Sequence, residues 1–173
     1  MHFCNMNRLN FPLFKIPIKN RENKKFIFDF IRKKWLLLTP EEWVRQNTIS
    51  YLIKLKNYPK SHIKVEGSIT INNIKKRYDI IAYNKNYEID ILIECKSPTS
   101  KISRKVFDQI ALYNLTVSSK YLMITNGIKH YFCQMDYEKK IYLFIDELPN
   151  DIQNIPNPKP SKRLVTNNGF SNR

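Results

Sequence analysis

Arg77-Tyr78-Asp79-Ile80-Ile81-Ala82-Tyr83, a turn over 84–87, and Ile89-Asp90-Ile91-Leu92-Ile93-Glu94-Cys95-Lys96 are the stretch on which the reading of this chain rests. Both arms are rich in β-branched and aromatic residues, and the polar turn between them is short, which predicts an antiparallel hairpin. A turn centred near Asn86 pairs residues whose numbers sum to 172 or 173, so Asp79 falls opposite Ile93 or Glu94. Along the second strand the two-residue period puts Glu94 and Lys96 on one face and Ile91, Ile93 and Cys95 on the other. Two carboxylates and an ammonium therefore meet at the end of two apolar strands.

Charges at such a place cost desolvation unless they are paired or bind a metal. A bare Glu-x-Lys occurs often by chance and reads equally well as an ion pair at a strand end; the Asp across the hairpin is what makes the group worth pursuing. Mg²⁺, or Mn²⁺ in its place, takes oxygen ligands and keeps waters, so two carboxylates leave room for a phosphate oxygen and a water. Lys96 is then placed to orient that water and to stabilise charge on the phosphate.

Outward from the hairpin, Thr39-Pro40-Glu41-Glu42 predicts a helix start, with Thr39 as N-cap, Pro40 in the first turn and Glu42 completing a capping box. The helix should run to about Lys56 with Val44, Thr48, Leu52 and Leu55 on its inner side, and Glu41, three residues before Val44, turned the same way. Alternation in Ile63, Val65, Ile69 and Ile71 predicts a strand or hairpin interrupted at Gly67. Ser103 is a candidate N-cap for a second helix, whose apolar side is Val106, Phe107, Ile110, Ala111 and Leu115. Tyr121–Thr125, His130–Met135 and Ile141–Ile145 read as further strands, and Phe26–Phe30 and Lys34–Leu38 as strands, or one strand and a connector. The order helix, strands, helix, strand predicts an α/β layer fold with a mixed central sheet.

The chain has 173 residues, enough for one domain with a real core. We expect a basic N-terminal arm over 1–24, loose apart from local Phe packing, one domain over 25–148 and an extended or disordered Pro/Asn-rich tail over 149–173. With 30 Lys plus Arg against 15 Asp plus Glu the formal net charge is +15, which favours a polyanionic partner, nucleic acid first and membrane surface second. Lys-rich segments such as Lys75-Lys76-Arg77 read singly as solvated faces, and their sum can line a DNA groove. Three cysteines, Cys4, Cys95 and Cys133, lack zinc-like spacing, and a reducing cytoplasm is the default expectation. No apolar run is long enough for a signal peptide or a membrane span, and three glycines leave no room for a Walker-type phosphate loop. His2, His62 and His130 form no ligand pattern. Glu66 ranks below Glu41 as a residue that approaches a metal.

An Asp, then fifteen residues on a Glu-x-Lys, resembles the PD-(D/E)XK nuclease superfamily in the version found in the N-terminal nuclease domain of type I restriction enzyme R subunits. Pro40-Glu41-Glu42-Trp43-Val44-Arg45-Gln46, Glu94-Cys95-Lys96-Ser97-Pro98 and Gln109-Ile110-Ala111-Leu112-Tyr113-Asn114 carry the resemblance further, so that it spans Phe26 to about Met135. The resemblance implies a restriction-endonuclease-like three-layer core, a mixed β-sheet flanked by helices, acting as a Mg²⁺- or Mn²⁺-dependent DNA endonuclease. It implies Asp79 and Glu94 as metal ligands, Glu41 as the helical Glu completing the site, and Lys96 as the catalytic lysine. Gln109 and Tyr113, with Arg45 and Arg77, are expected to support the site or contact DNA. Tyr78 replaces the proline often found before the Asp. We expect no helicase motor within these 173 residues and a separate motor or specificity protein as a partner for restriction. The competing readings are a non-catalytic nucleic-acid-binding module on the same fold and a repair or RNA-directed nuclease.

Overall fold

The computed structural model describes residues 8–149 apart from Asn72. Strands β1 (Ile18–Arg21), β2 (Lys24–Asp29) and β3 (Lys34–Leu37) form a small antiparallel sheet. Helix α1 (Pro40–Leu55) follows, then a single 3₁₀ turn at Lys60–His62. β4 (Ile63–Ile71), β5 (Ile74–Tyr83) and β6 (Ile89–Cys95) lead into helix α2 (Arg104–Val117), and β7 (Tyr121–Thr125), β8 (His130–Asp136) and β9 (Ile141–Ile145) complete the chain order.

The six later strands form one sheet in the order β4-β5-β6-β7-β8-β9, antiparallel throughout except for the parallel pair β6–β7, which α2 connects. A parallel neighbour requires a crossover, and the α2 helix is that crossover. β6 and β7 are the central strands, and both are buried almost without interruption. The α/β class and the mixed sheet are as the sequence predicts.

Each face of the sheet packs one helix, which makes three layers. Ile80, Ala82, Ile91, Ile93 and Cys95 pack with Val44, Ile49 and Leu52 of α1; Ile81, Leu92, Leu122 and Ile124 pack with Phe107 and Ala111 of α2. α1 is not the one-sided amphipathic helix its apolar spacing predicts. Glu42, Arg45, Gln46, Asn47 and Ser50 are buried beside Val44 and Leu52, while Leu55, expected inside, is exposed. The small sheet accounts for Gln46 and Glu42, which bond to Asp29 and Arg32; Arg45 reaches Glu66 and Asp79 of the large sheet, and Asn47 and Ser50 donate to carbonyls of α1 itself.

Three further expectations change. β4 continues through Gly67 as one strand instead of breaking there. Residues 8–24 are not a loose arm: Leu9 and Phe11 pack on the α1 core, the Asn10 N–H donates to Gly127 O at 2.6 Å, and β1 begins at Ile18. The Thr39 cap is half of a capping box. Thr39 Oγ1 accepts the Glu42 N–H at 3.1 Å, but the Thr39 N–H donates to Leu37 O, and the Glu42 carboxylate turns inward instead. The tail expected from Pro149 lies, beyond that residue, outside the described residues.

Candidate active site

The β5–β6 register is Ile80↔Ile93, Ile81↔Leu92 and Ala82↔Ile91, a constant sum of 173, with a bulge at Ala82/Tyr83. One step further, Asp79 stands beside Glu94, as the turn arithmetic predicts. Asp79, which the sequence placed at a strand end, lies in the middle of β5, and its Oδ2 accepts the Cys95 N–H at 2.7 Å, which ties it to the end of β6. The Lys96 N–H donates to Thr125 O at 2.8 Å and extends the parallel ladder past the end of β6. Lys96 therefore sits on a backbone held from the β7 side, and its Nζ donates to Glu94 Oε1 at 2.7 Å. Side-chain exposures of 17% for Asp79, 27% for Glu94 and 34% for Lys96 leave the group reachable from solvent.

Behind this group lies a network of ion pairs built on two arginines. Arg45, with 5% of its side chain exposed, donates from Nη2 to Asp79 Oδ1 at 3.0 Å and to Glu41 Oε1 at 2.9 Å. Its Nη1 meets Glu42 and, at 3.1 Å, Glu66 Oε1. Arg32 binds Asp29 at 2.6 Å, Glu42 at 3.0 Å and Glu66. The planar fork of arginine fits this many carboxylates, whereas a lysine offers one compact charge. Burial alone would lower the Arg45 pKa, but the Asp79 carboxylate and then Glu42 outweigh it and push it up.

Electrostatics around Glu94 is that of crowded negative charge. Burial first, and then the neighbouring Asp79 charge, raise the Glu94 pKa against the pull of Lys96, and Glu41 adds to the same direction. Burial works against the Lys96 ammonium, yet its hydrogen bond to Glu94 and the charges of Glu94, Asp79 and Glu41 raise its pKa overall. Lys96 thus stays protonated and can donate but not accept a proton. Tyr113, on α2, has a buried hydroxyl without a hydrogen-bond partner among the described residues, and burial followed by the Glu94 charge raises its pKa.

The donors suit a hard divalent cation. A carboxylate offers about four lone-pair directions; Asp79 uses two, on Arg45 and Cys95, and Glu94 uses one, on Lys96. The Asp79 charge that, after burial, raises Glu94 is what a cation would neutralise. Among the described residues no three His, Cys, Asp or Glu side chains gather into a metal-binding group. Asp79 and Glu94 are a pair, and Glu41 faces them electrostatically while its carboxylate is held by Arg45. One or two carboxylates, with waters and phosphate oxygens, are what Mg²⁺ commonly uses.

The other expected residues separate. Arg45 is buried, and its two Nη atoms face Asp79, Glu41, Glu42 and Glu66 and not the surface. Arg77 is exposed, and Gln109 is exposed on α2 without a bond to the pair. The sequence reading missed Asp29, Arg32 and Gln46, and it ranked Glu66 low. In so lysine-rich a chain each arginine was the available signal, since arginine is the residue suited to buried, forked ion pairs.

Taken together, these features define an α/β domain whose mixed sheet presents an Asp from the middle of one strand beside a Glu and a Lys at the end of its neighbour, with one helix on each face. Residues 40–149 match the family model of the type I restriction enzyme R protein N terminus, and the chain belongs to that family. No curated protein matches the chain. Among the described residues no helix is long and apolar enough to cross a membrane.

Proposed function

We propose that this chain is a PD-(D/E)XK-type nuclease that hydrolyses DNA phosphodiester bonds, with Mg²⁺ or Mn²⁺ held by Asp79 and Glu94. The observation that carries this reading is the cluster itself: two partly buried carboxylates side by side across β5–β6, with a protonated lysine bonded to one of them. Bound there, the cation would supply charge neutralisation for the phosphate and a more acidic water. Arg45 and the Cys95 N–H fix the orientation of Asp79, so this carboxylate needs no reordering when substrate arrives. Lys96, already charged, offers its Nζ protons to the oxygen that gains negative charge in the transition state. Glu41 adds negative potential from the edge and strengthens the site's affinity for positive charge.

Membership in the R-protein family supports DNA as substrate, and the net charge of +15 supports a polyanion generally. A separate motor or specificity protein would supply translocation or sequence choice. The test is incubation of purified protein with supercoiled, linear and single-stranded DNA, with and without Mg²⁺ or Mn²⁺. Nicked or linear circles are the expected product, lost in Asp79→Ala and Glu94→Ala. Lys96→Ala should retain divalent binding while cleavage drops by about 100-fold or more, the scale for one preorganised electrostatic group. A wild type that binds DNA but never cleaves it would return the chain to the reading of a non-catalytic binding module.

A further inference from the structure

The β4–β5 hairpin changes its orientation at the step that carries Glu66 and Asp79. Up to this step Ile63, Val65, Ile80 and Ala82 face α1; beyond it Ile69 and Tyr78 pack on the α2 side. Strict alternation would keep Val65 with Ile69 and Tyr78 with Ile80, so the faces reverse between them. Glu66 sits at the reversal with φ 47°, between the pairs Val65↔Ile80 and Gly67↔Tyr78. A Cβ on Gly67 would collide with the Tyr78 ring, so the glycine lets the tyrosine lie across the strand.

The reversal has a chemical result. Opposite the Ile69 and Tyr78 side, the outer hairpin presents the rungs Ser68↔Arg77 and Thr70↔Lys75, all four residues exposed. Neither Arg77 nor Lys75 has an ion-pair partner among the described residues. The two acids of the hairpin close to them are already engaged, Glu66 by Arg32 and Arg45 and Asp79 by Arg45. These cations and Ser68 line a surface pocket with Glu66 and Gly67. Strand rise places Arg77 about 7 Å and Lys75 about 14 Å along β5 from Asp79.

We propose that this outer face of the β4–β5 hairpin is the track that holds the phosphate backbone of duplex DNA next to the reacting bond. Arg77 and Lys75 each contact a phosphate, with the Ser68 and Thr70 hydroxyls as neutral donors beside them. The track reads no bases, since phosphate contacts position a duplex without carrying sequence. It rests on the proposed nuclease reading in that the DNA is led toward Asp79 and Glu94, but its binding role can be measured without cleavage.

The experiment measures binding of a short fluorescent duplex to the whole chain in EDTA across a salt series, for wild type, Lys75→Gln/Arg77→Gln, and Lys139→Gln/Lys140→Gln. The last pair removes the same charge from the exposed β8–β9 turn, near the opposite edge of the sheet. Loss of two phosphate contacts should make the slope of log affinity against log salt shallower by about 1.8 in the hairpin variant. The slope of the β8–β9 variant should stay at the wild-type value. Equal slopes for wild type and the hairpin variant, or equal losses in both variants, overturn the track. Cleavage by wild type together with an unaffected hairpin variant defeats the track and leaves the nuclease reading standing. Binding through the hairpin without divalent-dependent cleavage does the reverse.

Discussion

Replacing Arg45 with methionine removes the guanidinium around which four carboxylates are arranged, and the structure allows the cost to be worked out. Glu42 keeps Arg32 Nη2 at 3.0 Å and Gln46 Nε2 at 2.8 Å, Glu66 keeps Arg32, and Asp79 keeps the Cys95 N–H at 2.7 Å. Glu41, with 46% of its side chain exposed, can turn to water. Removing one partner from a buried ion network costs about 3–5 kcal/mol. The surviving donors put Arg45→Met at the lower end, about 3 kcal/mol out of a total of about 5–15 kcal/mol for a domain. For a chain of this size that is a fall in Tm of about 6–12 °C. Urea unfolding followed by circular dichroism measures it, and Arg45→Lys should recover little, because one ammonium cannot serve carboxylates on several sides. A loss below about 1 kcal/mol would show that the network is not held out of water and that Asp79 is oriented by something else.

Two further outcomes rest on buried groups. The Asp90 carboxyl is fully buried, accepts from Tyr58 Oη at 2.6 Å, and is pushed up to about 6, chiefly by burial. Its folded pKa lies above the unfolded value of about 3.9, so the folded state binds the extra proton and stability contributed by Asp90 falls as pH rises from about 4 through 6. Unfolding free energies of wild type minus Asp90→Asn should therefore decline across that window, and a flat difference refutes the shift. Tyr113→Phe removes a buried hydroxyl without a partner, so stability should hold or rise, while cleavage falls if that hydroxyl serves the site. Destabilisation of more than about 1 kcal/mol in a thermal melt would mean that the hydroxyl has a partner after all.

Much of this arrangement was legible because it is local. The short polar turn after Tyr83 set the β5–β6 register, and with it the meeting of Asp79 and Glu94, to within one residue. Thr39 and Ser103 marked both helix starts, and each accepts the backbone N–H three residues on. What stayed hidden is long-range or lacks a residue-type signature. Nothing in Glu66 announces a positive φ, because that conformation is enforced by tertiary contacts and not by a glycine. The alternation of Ile63, Val65, Ile69 and Ile71 therefore marked an interruption near Gly67 without showing that Val65 and Ile69 occupy two faces. The burial of polar residues on α1 needed knowledge of a second sheet lying against it, and the bonds from Asp29 and Arg32 join segments that sequence spacing cannot relate.

The reversal at Glu66 and Asp79 also bears on how such a protein can diverge. Inboard of it, Ile63, Val65, Ile80, Ile81 and Ala82 are committed to the core, and a substitution at any of them disturbs the packing beside the reacting groups. Outboard, among the described residues, Ile69 and Tyr78 pack on the α2 side, and the opposite row of Ser68, Thr70, Lys75 and Arg77 is exposed. On the proposed reading, natural variation or deliberate redesign could thus exchange Ser68, Thr70, Lys75 and Arg77, and with them the grip on a phosphate backbone, while Asp79 and Glu94 keep their positions. The domain would in this sense be modular within a single hairpin, one half fixed by its packing and the other free to change what it holds.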